Sequence, residues 1–328
     1  MINTELQLHS DIFNTDILDQ AATRDGFGKG LVEAADADKN VVALCADLAE
    51  STRAHWFKEK YPDRYIELGV AEQNLAAVAS GLANYGKIPF MMSYAAFSPG
   101  RNWEQIRSTI ALNDVPAKIV GAHAGVSVGP DGATHQALED IATIRVIPNM
   151  TVVVPADSEE ACKATLAIAK NNKPSYIRLA RAKTPIFTTS DTPFEIGVPQ
   201  VVYESETPKV GIIACGSLVY QSILAAEALK QEGIEVSVMN LSTIKPMNEK
   251  AVTEFAQKVD RIVSAEEHQI HGGMGSAVAE VLAQHAPTKM SFIGMHDRFG
   301  ESGSPDELLQ EFGFTKEGII EHIKSQLS

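Results

Sequence analysis

The sequence predicts an α/β protein: a mostly parallel sheet flanked by helices, followed by a smaller second α/β unit. Three observations carry this. Strand-like apolar runs alternate with helical periodicities from residue 22 to 180, a proline-rich stretch interrupts them at 182–208, and the alternation then restarts. Alternation of this kind predicts parallel strands, because a helical crossover brings the chain back to start the next strand in the same direction. The expected division is a first domain over residues 1–185, a linker over 186–208 and a second domain over 209–328.

In order along the chain, a helix is expected near 22–37, a strand at VVALCAD (41–47) and a short apolar run at Tyr65-Ile66-Glu67-Leu68. Leu75, Ala76, Ala79, Leu82 and Ala83 then recur at spacings of three and four, which marks one apolar helical face opened by Glu72. IPFMMSY (88–94), a helix near 102–112 and KIVGAH (118–123) continue the series. TVVVPAD (151–157), the helix SEEACKATLAIAK and SYIRLA (175–180) end it. Four prolines and the absence of a helical period make 182–208 a connecting segment. KVGIIACG, the helix SLVYQSILAAEALKQEG, IEVSVMNL, a helix near 248–258, DRIVSAEE, a helix at 274–285 and KMSFIG form the second unit.

The net charge of −14 argues against a broad nucleic-acid-binding surface, which needs Lys and Arg in excess, but leaves room for small anions held by a few arginines. No apolar run reaches the ~18–20 residues of a membrane span, and the N-terminus MINTELQLHSDIFNTD lacks the pattern of a secretion signal. Cys45, Cys162 and Cys215 are odd in number and widely spaced, and read as buried free thiols of a reducing, cytoplasmic protein. Neither a cysteine pair nor an HExxH helix suggests a metal held by this chain.

Ligands of parallel α/β sheets sit beyond the carboxyl ends of the strands, and there Asp47, Glu72 and His123 fall. The densest polar stretch, GAHAGVSVGPDGATHQ (121–136), sets two histidines and an aspartate in a Gly-rich loop, where imidazoles can exchange or donate protons near neutrality. Its structural alternative is a surface loop built on a Pro-Asp-Gly turn. Glu72 is either a first-turn carboxylate favoured by the helix dipole or a functional acid. Arg24 and Arg181 stand at element boundaries and suit bidentate phosphate recognition, or else surface ion pairs. Tyr94, Phe97 and Trp103 surround a strand-to-helix turn, as core or as a ligand wall. HGGMGSAVAE (271–280) looks like a phosphate loop but matches neither glycine fingerprint, so Gly272, Gly273 and Gly275 read as turn and close-packing positions. Glu266, Glu267 and His268 before it read as a strand end or a partner-facing edge.

Taken together, ALCADLAES, IELGVAEQNLAAVASGLA, SYAAF, HAGVSVGPDGATHQALEDIA, VVVPAD, YIRLAR, EEHQIHGGMGSAVAE and DRFGESGSP resemble, in order, the pyrimidine-binding and C-terminal domains of transketolase, from residue 22 onward. The resemblance implies a thiamine-diphosphate-binding fold and transfer of a two-carbon ketol unit from a ketose phosphate to an aldose phosphate. By it Glu72 matches the glutamate that hydrogen-bonds the cofactor's aminopyrimidine ring, so that the exocyclic amine can act as base toward the thiazolium carbon. Asp47 matches a residue near the cofactor, and Tyr94, Phe97 and Trp103 the wall around its pyrimidine. His123, Asp131 and His135 match substrate-channel residues, His123 and His135 being catalytic candidates. Arg24, Ser51 and Arg181 match phosphate-contacting positions.

The family holds the diphosphate and a magnesium ion with a Gly-Asp-Gly motif in a separate domain, and no such motif occurs here. The resemblance therefore implies one half of a split transketolase: a partner N-terminal subunit supplies the diphosphate and divalent-cation site, in a dimer of heterodimers acting on sugar phosphates, without nucleic acid or membrane. Alternatives are a deoxyxylulose-phosphate synthase-like enzyme, a 2-oxoacid dehydrogenase beta subunit, a transketolase for an unusual sugar phosphate, or a non-catalytic oligomerisation or regulatory subunit.

Overall fold

The computed structural model describes residues 1–327 and gathers the alternating segments into two main sheets. The first half contains β1 (Gln20–Ala21), α1 (Thr23–Ala37), β2 (Val41–Cys45), α2 (Ala54–Lys60), β3 (Tyr65–Glu67), α3 (Glu72–Asn84) and β4 (Ile88–Tyr94). It continues with α4 (Trp103–Gln105, extended by a π-helical turn over Ile106–Ala111), β5 (Lys118–Ala122), α5 (Asp140–Arg145), β6 (Thr151–Val153), α6 (Ser158–Lys170), β7 (Ser175–Arg178) and β8 (Thr184–Pro185). The second half contains β9 (Gln200–Tyr203), β10 (Val210–Ala214), α7 (Leu218–Gln231), β11 (Val236–Asn240), β12 (Thr243–Lys245), α8 (Glu249–Ala256), β13 (Arg261–Gln269), α9 (Met274–His285), β14 (Lys289–Met295), α10 (Pro305–Glu311) and α11 (Lys316–Leu327).

Strands β6-β7-β5-β4-β2-β3 form a parallel sheet in that order. Strands β14-β13-β10-β11 form a second parallel sheet. Each sheet ends in one antiparallel strand, and both depart from the sequence expectation. β9 lies inside the stretch read as a linker and pairs with β11. β12 comes from the second half of the chain yet pairs with β6, closing the edge of the first sheet. It is fixed there by Val154 N donating to Ser242 O at 2.7 Å, and by Lys245 Nζ donating to the carbonyls of Arg145 and Ile147 at 2.9 and 2.6 Å.

The apolar interior is continuous across the two sheets, with Val152 and Val154 in one cluster with Ile213, Met239, Leu241 and Ile244. Helix α6 starts where Asp157 accepts the Glu160 amide at 2.9 Å, an N-cap interaction. It packs closely on α1 because Gly26 and Gly30 lack side chains, and a Cβ on Gly26 would lie 1.7 Å from Ser158 O. That contact fixes the start of α1, and with it Arg24. The three cysteines are free and buried. No helix among the described residues is long and apolar enough to cross a membrane.

Candidate active site

In the first sheet β2 lies between β3 and β4, so the chain changes its direction of travel across the sheet at β2, and the crevice beyond the strand ends there is the expected ligand position. Glu72, the first residue of α3, stands beside it and is 2% exposed. Its Oε2 is buried without a partner. The Glu72 carbonyl accepts from Asn102 Nδ2 at 3.0 Å, and the same amide donates to Ser98 Oγ at 3.2 Å. The start of α3 is thereby tied to the loop after β4 that carries Phe97.

Four rings gather at the ends of β4 and β5. Tyr94 stacks on His123 with centroids 4.0 Å apart and lies 6.1 Å from Phe97. His135 meets Phe97 edge-on at 5.4 Å and Tyr94 at 6.0 Å. Trp103 does not join them. Its indole N–H donates to Thr143 O at 2.7 Å, and its ring borders a shallow apolar hollow with Pro99, Ala142 and Val146. Of the three aromatic residues the structure brings Tyr94 and Phe97 together and sets Trp103 apart, its indole N–H having its acceptor on α5.

His123 has φ 55° and is buried, with Nε2 3.1 Å from Arg24 Nη1. A guanidinium only donates, so Nε2 accepts and Nδ1 carries the ring proton; that Nδ1–H is buried and unpaired. Burial pushes the imidazole down to about 3, helped by the guanidiniums of Arg24, Arg181 and Arg53, so the ring is neutral at pH 7. Burial and the Arg53 charge also lower Arg24, which as a guanidinium still stays protonated. An acidic protein therefore concentrates three guanidiniums around one neutral histidine.

The remaining candidates divide. Ser51 meets Arg24 through its backbone carbonyl, at 2.9 Å. Arg181 donates to Val128 O at 2.5 Å, and its Nη1 lies 3.8 Å from Asp131 Oδ1, both side chains about one third exposed (36% and 34%). Asp47 is exposed at φ 61°, its amide held at 2.8 Å by Glu67. Glu67 also accepts the amides of Leu68 and Gly69 at 3.0 Å and the Tyr65 hydroxyl at 2.6 Å. Partial burial works to raise the Glu67 carboxyl, but these hydrogen bonds outweigh it and hold it below the usual carboxylate range. The HGGMG stretch is an internal anion site: Glu266, 1% exposed, accepts Met274 N at 2.7 Å and Gly275 N at 2.8 Å at the start of α9.

The model of the transketolase pyrimidine-binding domain matches residues 19–186, and that of the transketolase C-terminal domain residues 200–319. The chain belongs to the transketolase family. It is 40% identical to the putative transketolase C-terminal section of Methanocaldococcus jannaschii, over 93% of this chain and 96% of that one. It is 37% identical to the 6-deoxy-6-sulfo-D-fructose transketolase subunit SqwH of Clostridium sp., over 92% and 94%. A solved structure described as a split gene transketolase, inactive beta4 tetramer, superposes with TM-score 0.86 at 39% identity, covering 93% of this chain and 97% of that one. Human transketolase matches 94% of this chain with only 50% of its own length. The chain thus spans nearly the whole of the first two relatives and about half the length of human transketolase, and its relatives support a transketolase-type enzyme.

Transketolases generally use thiamine diphosphate, and the residues here fit its aminopyrimidine end. Glu72 Oε2 is a buried polar atom without a protein partner, a costly arrangement unless a ligand supplies the missing hydrogen bond. Sequence reasoning missed Asn102, which ties Glu72 to the aromatic loop, and Arg53, which adds to the positive field. The only signal of Arg53 was its position two residues beyond Ser51.

Proposed function

We propose that this chain is the pyrimidine-binding half of a two-chain transketolase that moves a two-carbon ketol unit from a ketose phosphate to an aldose phosphate. A partner chain provides the diphosphate and magnesium site. The observation that carries the reading is the buried, unpaired Glu72 carboxylate oxygen at the head of α3, fastened through Asn102 to the loop of Phe97. When bound, thiamine diphosphate supplies the carbon nucleophile that takes up and releases the two-carbon fragment.

The chain's own residues do the rest. Glu72 Oε2, buried at the head of α3, holds or accepts a proton at a pyrimidine ring nitrogen. Tyr94 and Phe97 flank the ring and fix its orientation. His123, neutral and with Nδ1–H free, donates a hydrogen bond to a sugar oxygen without bringing a second positive charge to the carbonyl. His135, half-buried beside Phe97, contacts the donor near the reacting carbonyl, and Asp131 takes a sugar hydroxyl. Arg24 and Arg181 hold the phosphate, whose charge offsets the crowding of guanidiniums. Two relatives are named for different sugars, 6-deoxy-6-sulfo-D-fructose and apulose 4-phosphate, so the test includes a panel of donors.

The test is reconstitution. The purified chain alone is expected to be silent, and the chain mixed with a Gly-Asp-Gly-bearing partner, thiamine diphosphate and magnesium to convert xylulose 5-phosphate and ribose 5-phosphate. Glu72→Ala is expected to abolish most of that turnover in a folded protein. Near-normal turnover of the variant would refute the role of Glu72, and no turnover with any donor would favour a regulatory subunit.

A further inference from the structure

The loop carrying His123, Asp131 and His135 is gripped from outside its own sheet. Glu267 on β13, 4% exposed, reaches across: its Oε1 accepts Ser127 N at 2.5 Å, and its Oε2 accepts Ser127 Oγ at 3.2 Å and Ser217 Oγ at 3.4 Å. The loop lies so close that a Cβ on Gly125, itself at φ 87°, would sit 2.4 Å from the Glu267 carboxylate. At the loop's far end Gln136 Nε2 donates to Val126 O, to Gly129 O and, at 2.9 Å, to Glu301 O. Beyond it Gln269 N donates to Leu138 O at 2.8 Å. Arg178, paired with Asp140 at 2.8 Å, donates to both Ala137 O and Glu267 O.

A buried carboxylate is an expensive way to join two units, since an apolar contact of the same size usually stabilises at least as well. Burial raises the Glu267 carboxyl, and the Ser127 hydrogen bonds and the Arg178 charge oppose it only in part. What a carboxylate gives that an apolar side chain does not is a directional hold on one backbone amide, four residues beyond His123.

We infer that Glu267 is a positioning residue: through it and the Gln136–Glu301 contact, the second α/β unit sets the place of the 123–135 loop and thereby the affinity for the donor sugar phosphate. The inference rests on the reading under Proposed function, in which that loop meets the sugar. It assigns the C-terminal part of the chain a share in substrate binding.

The test compares wild type, Glu267→Ala, Glu267→Gln and Glu267→Asp in the reconstituted enzyme. In Glu267→Ala the amides of 124–136 are expected to exchange about tenfold faster, with those of β2, β4 and β5 unchanged. KM for the ketose phosphate rises more than kcat falls. Glu267→Gln keeps an acceptor for Ser127 N and recovers most of both readouts. A folded Glu267→Ala protein with wild-type loop exchange overturns the inference, as does a Gln variant as impaired as the Ala variant. If Glu267→Ala does not fold, Glu267→Asp, whose shorter side chain draws the carboxylate away from Ser127 N, decides by the same exchange measurement: faster loop exchange supports the clamp and wild-type exchange overturns it. Faster loop exchange in the variant, with no ketol transfer by wild type, upholds the clamp and sinks the assigned reaction instead.

Discussion

Acid should destabilise this protein through His123, by an amount that can be worked out. The ring is 1% exposed and its imidazole is pushed from 6.5 down to about 3, by burial first and by the guanidiniums of Arg24 and Arg181 next. Between those two values the unfolded chain binds a proton that the folded chain refuses, so stability falls as pH falls. Above about 6.5 the group contributes nothing. At pH 5.5 the loss is about 1.4 kcal/mol, growing by about 1.4 kcal/mol for each further pH unit until the folded ring titrates. His123→Asn removes the titration while keeping a residue type tolerant of φ 55°. Thermal unfolding of the two proteins at pH 7.5 and 5.5 isolates the effect, because all other groups titrate alike in both. The midpoint of wild type should drop by about 2 °C more than that of the variant. The imidazole resonances of His123 should stay fixed between pH 7.5 and 4.5. Equal drops in the two proteins, or a His123 resonance titrating near 6.5, would refute the account of a neutral donor beside Arg24.

Other expectations follow from contacts already described. Arg181→Ala should raise KM for phosphorylated donors by about tenfold with a smaller effect on kcat, measured by steady-state kinetics of the reconstituted enzyme; an unchanged KM would leave Arg181 a structural partner of Val128 and Asp131. Asp140→Ala strands the 7% exposed Arg178 guanidinium and should cost about 3–5 kcal/mol, seen as a lower urea midpoint. Gly273→Ala would bring a Cβ within 2.3 Å of Glu266 Oε2 and should lower stability by about 1–3 kcal/mol in the same assay; no change would mean that the carboxylate can leave the head of α9 freely.

What could be read in advance was what repeats locally. Helices α6 and α9 and strand β4 fall on the residues expected, because apolar spacing and end signals within each segment decide them. β9 and β12 did not show, being four and three residues long and stabilised by partners distant in the chain rather than by their own pattern. The site divides the same way. The strand ends brought Tyr94, Phe97, His123 and His135 into one ring cluster and set Arg24 against His123. Trp103, at the start of α4, lies outside that cluster, since sequence shows the aromatic ring but not the carbonyl its N–H will find. Glu266 and Glu267 are adjacent in sequence and point to opposite tasks, one capping α9 and the other holding Ser127, a division that only the alternation of β13 explains.

The strand exchange at β6 bears on how such proteins can be cut and recombined. Residues 1–185 produced alone would present the backbone of β6 bare, since the strand that covers it, Thr243–Lys245, lies beyond that cut. An uncovered edge of this kind invites pairing with a neighbouring molecule. A chimera joining the front of one such subunit to the back of another must therefore match at the β6–β12 seam as well as at the proline-rich crossing, or it will polymerise before it can be assayed.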